Sequence, residues 1–356
     1  MKSNREIYRA TGLPLLQNRA FASADEARAC ATGDVVLVQD SKTGLIFNNA
    51  FDPSLVAYDS DYQNEQAFSD VFRRHLENVA KVVKRHFHEG PLIEIGCGKA
   101  YFLETLQRMG YAITGFDPAY EGNNRDVRRE YFTSSVGLEV SGIILRHVLE
   151  HVPGPVAFLE TIRDANGGGG LLYIEVPCFD WICTHRAWFD IYYEHVNYFR
   201  LSDLQRMFGT VLEAGHTFGG QYLYIVADLA TLTNPSQSGF NPVDMPSDFL
   251  DGVSRHARHV MQQREKNHSR SAVWGAASKG VIFSLFMERA GAPVDVAIDV
   301  NPAKQGRHLP VTGVCIDSPA NAVAQLEPGS DVFVMNTNYL DEIRNLSGGR
   351  FTYLTV

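Results

Sequence analysis

Glu194 and His195 stand side by side in the stretch DIYYEHVNYF (residues 190–199), among four aromatic rings. An imidazole titrates at about 6.5, so it can take a proton at neutral pH without holding a charge at rest. Such a pair in apolar company fits two arrangements: a half-buried strand whose polar groups are paired, or a pocket where something acidic loses a proton. If the segment is extended, Tyr192 and Glu194 point one way and His195 the other. A bend or helical turn is then needed to bring all three to one substrate.

A second constellation is LIEIGCGKA (residues 92–100), a buried strand that turns into a helix through Gly96-Cys97-Gly98. Glycine there lets a ligand approach the backbone, and the following helix points its free N–H groups at the same spot. Asp117 in GFDP, 19 residues beyond Gly98, ends the next strand. A carboxylate at that place can accept both ribose hydroxyls of an adenosine. NAD and S-adenosylmethionine share this geometry. Tyr101 stands where the dinucleotide fingerprint has its third glycine, and Glu94 suits a cationic ligand better than a pyrophosphate. Both features favour S-adenosylmethionine.

The third constellation, His147-Val148-Leu149-Glu150-His151, has the H-x-x-E-H spacing of inverted zincin metallopeptidases. On a helix the two histidines would share a face, as zinc requires. Context speaks against it: the motif follows the strand run GIILR directly, and Pro153 and Pro155 limit any helix. No metal site is expected.

The elements that must hold these residues follow from the rest of the chain. Its 356 residues exceed one ordinary core and imply two or three domains. Residues 1–66 mix short strand-like runs (VVLV, LIF) with turn signals. Phe68, Val71, Phe72, Leu76, Val79 and Val83 recur at helical spacing. Strand runs then alternate with helical patterns through residue 232, ending in LLYIEVP. Such βαβ alternation implies a parallel sheet with ligands at the carboxyl ends of its strands. Residues 233–270 read as a linker rich in Pro, Ser, Asn and Gly followed by a polar helix over 247–270. Residues 271–356 restart an α/β pattern, with WGAASKG as strand, turn and helix. No repeat with a period of about 20–50 residues is evident.

Composition narrows the partners. A formal charge of −9 argues against nucleic acid, whose phosphates want a basic face. No apolar run approaches the roughly 20 residues that span a bilayer, and the opening MKSNREIYRATG lacks the apolar core of a signal peptide. The five cysteines are scattered, odd in number and free of C-x-x-C, which fits a reducing cytoplasm.

With these motifs in order, the chain resembles the class I S-adenosylmethionine-dependent methyltransferases. EIGCGKAYFLETL looks like their first motif, GFDPAYEG like their second-strand acid, and RHVLEHVPGP like the segment after strand four. DIYYEHVNYF and WGAASKG are similar to a three-domain subgroup that includes C-methyltransferases of nucleotide-linked deoxysugars. The resemblance covers nearly the whole chain. It implies a Rossmann-like central domain (67–232), a small N-terminal domain and a C-terminal doubly wound α/β domain. The subgroup opens with a zinc domain built on two C-x-x-C pairs. Here the matching positions are Tyr8, Thr11, Asp40 and Thr43, which supply no thiolates. The implied domain is therefore a zinc-less remnant.

The resemblance also implies roles. Glu94, Gly96, Gly98, Asp117 and His147 would hold the cofactor, with Tyr62 and Tyr58 folded over it. A 4-keto sugar must lose a proton from the neighbouring carbon before that carbon can attack a methyl group. His195 would take the proton, Tyr192 and His151 would donate to the growing oxyanion, and Glu194 would orient the imidazole. Tyr193, Tyr198 and Phe199 would wall the pocket from water. Lys279, Asn336 and a helix N-terminus would meet the nucleotide side of the substrate. The last domain lacks G-x-G-x-x-G, so bound NAD is not expected. Rival readings are N- or O-methylation of another small metabolite, a nucleotide-binding module without activity, and the metallopeptidase.

Overall fold

The computed structural model describes residues 4–59, 61–88, 90–137, 139–235 and 239–356. Its first strands, β1 (Arg5–Pro14), β2 (Thr32–Gln39) and β3 (Ile46–Asn48), form an antiparallel meander with the short helix α1 (Ala24–Arg28) between β1 and β2. The VVLV run of β2 is buried along its whole length. Tyr8, Thr11, Asp40 and Thr43 are engaged within the fold. Tyr8 is buried with its ring edge on Phe249, and the Thr11 carbonyl accepts from Arg289. Asp40 closes a turn by accepting from the Thr43 amide and hydroxyl.

Helix α2 (Asp70–His86) starts two residues after Phe68, because the Ser69 hydroxyl accepts from the amides of Val71 and Phe72 and caps it there. Phe68 is left 49% exposed, outside the apolar face to which its spacing had assigned it. The chain then lays down β4 (Leu92–Ile95), α3 (Tyr101–Arg108), β5 (Ile113–Phe116), β6 (Val127–Arg128), β7 (Gly142–Arg146), α4 (Pro155–Ala165) and β8 (Leu171–Pro177). After α5 (Phe179–Thr184) comes β9 (Asn197–Tyr198), which leaves this layer and pairs with β3 as the fourth strand of the first sheet. Helix α6 (Leu201–Gln205) and strands β10 (Val211–Thr217) and β11 (Tyr222–Asp228) complete the unit.

The resulting seven-stranded sheet has the order β10-β11-β8-β7-β4-β5-β6. Only β11 runs against its neighbours. Strands β4, β7 and β8 read as near-continuous apolar runs because both faces are covered. Strand order reverses between β4 and β7, which opens a crevice at their carboxyl ends.

Residues 236–238 of the expected linker lie outside the described residues. The connector helix α7 (Asp251–Asn267) is shorter than the expected 247–270. A turn over 247–250 buries Phe249 against the first sheet, and a left-handed His268 stops the helix. The last sheet is built from β12 (Ser271–Trp274), β13 (Val296–Ile298), β14 (Ile316–Asp317), β15 (Asp331–Val334) and β16 (Thr352–Thr355), in the order β14-β13-β12-β15-β16 with all pairs parallel. Helix α8 (Ser278–Arg289) follows β12, and its Phe283 ring stacks on Trp188 of the middle unit. This sheet has its own order reversal between β13 and β15, either side of β12, and that crevice faces the middle sheet.

Candidate active site

Two cavities meet between the sheets. The first, about 390 Å³, lies over the carboxyl ends of β4 and β5 and is lined by Glu94, Gly96, Gly98, Asp117, His147 and the tyrosine pair Tyr58 and Tyr62. The turn that carries it has left-handed backbone at Gly96, Gly98 and Ala100. A side chain at Gly96 would strike Val148 at 2.4 Å, whereas nothing lies within 4 Å of a Cβ built on Gly98. Gly98 therefore borders open space that a ligand can fill. Asp117 accepts from the amides of Gly98 and Ala119 at 2.8 and 2.9 Å. A carboxylate has about four acceptor sites, so roughly two remain for a ligand. Glu94 is buried and its Oε2 has no partner. Burial pushes its carboxyl up to about 8, against the pull of Arg146. A buried acid that is mostly protonated at pH 7 and has one unpartnered oxygen can give up its proton to a cation that takes the proton's place.

The second cavity, about 240 Å³, lies between the middle sheet and the last domain. It is lined by His151, Tyr192, His195, Lys279, Lys304 and Asn336, among others. Tyr62, His147 and His151 line both cavities and so form the seam between them. The chain bends at residues 193–194, two residues before β9. That bend turns the Glu194 side chain and the His195 ring to different neighbours. His195 is 8% exposed, edge-on to Tyr192 at 4.6 Å and to His151 at 4.8 Å between ring centres. Burial, with the charges of His151, His147 and Lys279, holds its imidazole well below the usual histidine range. It is neutral at pH 7. His147 is the opposite case. Burial alone would lower it, but hydrogen bonds and charges from Glu150 and Glu175 outweigh that and push it up to about 9.

Several expected roles change in this geometry. Glu194 does not orient His195: its Oε1 accepts from the Gln17 amide at 3.0 Å and its Oε2 from the Tyr62 hydroxyl at 2.8 Å. Its backbone carbonyl lies 3.0 Å from His151 Nδ1, which is also 2.9 Å from the Tyr58 hydroxyl. Glu194 thus braces the seam. Tyr192 lines the substrate-side cavity, but its hydroxyl donates to Asp190. Lys279 pairs with Asp190 at 2.9 Å, donates to Gln221 at 2.7 Å and lies over the Trp181 ring. Its charge is therefore already engaged. Asn336 exchanges hydrogen bonds with Gln221 at 2.8 and 2.9 Å. The aromatic wall is also different. Tyr193 packs on Phe51 and accepts from the Asp52 amide. Tyr198 exchanges hydrogen bonds with the Tyr192 backbone, and Phe199 lies in the core of the middle unit. None of the three lines either cavity. Glu150 and His151 sit on a strand-end 3-10 turn (Leu149–His151), and His147 lies in a left-handed bend just before it; none of the three is on an α-helix.

Lys304 was missed. It is 3% exposed, lines the substrate-side cavity and donates to Asn18 and to the Ala276 carbonyl, both at 3.1 Å. Among the described residues no carboxylate pairs with it, and burial lowers its ammonium. No local motif marks it. The only signal was a lysine shortly after a strand end of a doubly wound sheet.

Residues 65–211 match the family model described as a methyltransferase domain. That stretch of the chain is a methyltransferase domain. Residues 230–349 of this methyltransferase match a second model, described as a C-methyltransferase C-terminal domain. Among curated proteins none matches. Solved structures similar to it include the putative methyltransferase of Haloferax volcanii bound to its Trm112 activator, at 14% identity and a TM-score of 0.39, covering 48% of this chain and 98% of that one. Another is Burkholderia thailandensis 1,6-didemethyltoxoflavin-N1-methyltransferase, at 15% identity and a TM-score of 0.37, covering 52% and 95%. In this chain the open space over Gly98 and the unpartnered Oε2 of Glu94 fit S-adenosylmethionine, a cationic donor. No helix among the described residues is long and apolar enough to cross a membrane.

Proposed function

We propose that the methyltransferase methylates carbon beside the ketone of a nucleotide-linked keto-sugar, with His195 as the base. The observation that carries this is a neutral, buried imidazole in a cavity that joins the cofactor cavity at Tyr62, His147 and His151. Oxygen and nitrogen acceptors need little help with a proton; a carbon acid needs a base that is free at rest.

In this mechanism Glu94, Asp117 and the Gly96–Gly98 turn hold S-adenosylmethionine, which when bound supplies an electrophilic methyl group. His195 takes the proton from the carbon next to the ketone. A negative charge growing beside the ring raises its affinity for that proton as the transfer proceeds. His151, in the tautomer whose Nδ1 accepts from the Tyr58 hydroxyl and whose Nε2 carries the proton, is the donor left at the seam for the enolate oxygen, since Tyr192 is committed to Asp190. Tyr58 and Tyr62 shield the seam from water. Lys304 is the stronger candidate for the nucleotide's phosphates, because Lys279 is already paired.

The crevice of the last sheet supports a substrate there. Loops after β12 and β15 supply Gly275 and Asn336 to the same cavity, at the place where doubly wound sheets bind ligands. The test is turnover with a nucleotide-linked 4-keto deoxysugar. His195→Asn is expected to reduce turnover at least a hundredfold while leaving S-adenosylhomocysteine binding within twofold. Retained turnover, or methyl found on oxygen or nitrogen, contradicts the proposal.

A further inference from the structure

Glu150, His151 and His195 each offer one ligand atom, and these atoms lie within 4.8 Å of one another. Two chain segments supply them: the 3-10 turn after β7 and the bend before β9. Two independent observations point to a missing partner. Glu150 is 1% exposed, and its Oε2 has no hydrogen-bond partner. His195, also more than nine-tenths buried, has an equally unpartnered Nδ1. Buried polar atoms without partners are uncommon, because each forfeits its hydration with nothing in return. Two of them in one three-residue cluster mark a place built for something not among the protein's own groups.

We infer that Glu150, His151 and His195 form a binding site for a borderline divalent cation of the zinc, cobalt or nickel type. Two imidazoles and one carboxylate are a ligand set such ions accept, whereas magnesium and calcium call for oxygen ligands throughout. Bonds of roughly 2.0–2.2 Å place neighbouring ligand atoms about 3.4 Å apart in a tetrahedral site, so the three groups draw together on binding. His147 stays outside the cluster. Its Nδ1 lies 3.2 Å from Glu150 Oε1 and so steadies the carboxylate whose other oxygen is free. That hydrogen bond is the outer support expected of a metal-bound carboxylate. The site differs from the H-x-x-E-H pattern, since its second histidine comes from 44 residues further on.

Occupancy has a consequence that rests on the proposed function. An imidazole nitrogen bound to a cation has no lone pair for a substrate proton. The ion and the base role of His195 therefore exclude one another, and a bound cation inhibits methyl transfer reversibly.

The experiment titrates cobalt(II) into the apo protein at pH 7.5 and reads visible absorption, then repeats the titration on Glu150→Gln and His195→Asn. The expected result is one cobalt per chain with d–d bands in the native protein, and at least tenfold weaker binding in both variants, with circular dichroism checking their fold. His259→Asn, a surface histidine outside the cluster, is expected to bind as the native protein does. No bands with the native protein at 100-fold excess of cobalt (~100 equivalents of ligand is ample for a site of this type), or bands that persist in both variants, overturn the site. Turnover is read separately, with zinc and then a chelator. Cobalt binding together with unimpaired turnover upholds the site and removes His195 as base, whereas no binding together with His195-dependent turnover removes only the site.

Discussion

Glu94 sits at the buried end of β4 with one oxygen unpaired, and in the proposed binding mode its environment makes cofactor binding a titration. Its carboxyl is raised to about 8 in the folded protein by burial, from an ordinary value of about 4.3. A cationic donor binds the ionised form, so uptake at pH 7 displaces a proton. Calorimetry in two buffers of different ionisation enthalpy should therefore find proton release, and affinity should fall up to tenfold per unit as pH drops below 8. Glu94→Gln should flatten that dependence and weaken binding. The sign for stability runs the other way. A carboxyl whose folded value is raised favours folding while protonated and opposes it as pH climbs from its unfolded value through 8. The apo Glu94→Gln protein should thus melt higher than the native one at pH 8. That Glu94, Gly96, Gly98 and Asp117 meet at one cavity was legible because the arrangement is local: one strand, one turn, one spacing. The partners of Glu194 and Lys279 were not. Gln17 reaches Glu194, and Gln221 and Asp190 reach Lys279, across the fold, and no spacing along the chain records that.

At the scale of elements, the bend at residues 193–194 is decided by β9, a two-residue strand that joins the first sheet at Ile46 and Phe47. Nothing in DIYYEHVNYF announces a strand shared with residues 40 to 50 positions from the N-terminus, so the direction of each side chain could not be read in advance. A helix–turn contact governs the last domain in the same way. A Cβ on Gly280 would stand 1.8 Å from the Gly275 carbonyl oxygen, so α8 approaches the end of β12 only because that residue is glycine. Gly280→Ala should destabilise the fold by roughly 3 kcal/mol, measured by chemical denaturation. It should raise the substrate KM more than the donor affinity, since α8 borders only the substrate-side cavity.

At the scale of the molecule, the three sheets converge on one seam. The first sheet pins the bend through β9, the middle sheet carries the cofactor turn, and the last sheet closes the substrate-side cavity. The Asp190–Lys279 pair and the Gln221–Asn336 amide exchange tie the last two together. Lys279→Met would leave Asp190 with only Tyr192 and should cost about 3 kcal/mol of stability, as removal of one member of a largely buried pair does. Substrate KM should rise while S-adenosylhomocysteine binding stays within twofold. The α/β class and the crevices at the carboxyl ends of the strands were visible in the alternation of apolar runs and helical patterns. The way the three layers share one cavity was not, because it depends on contacts between residues hundreds of positions apart, such as Lys304 with Asn18.

The central claim is proton removal from carbon by His195, and solvent exchange reads that step without methyl transfer. A nucleotide-linked 4-keto deoxysugar incubated in D2O with the protein and S-adenosylhomocysteine should lose the NMR signal of the hydrogen beside its ketone. His195→Asn should abolish that loss at unchanged cofactor binding. Exchange that continues at the native rate in the variant, or a substrate that is methylated with its carbon-bound hydrogen retained, would contradict the account.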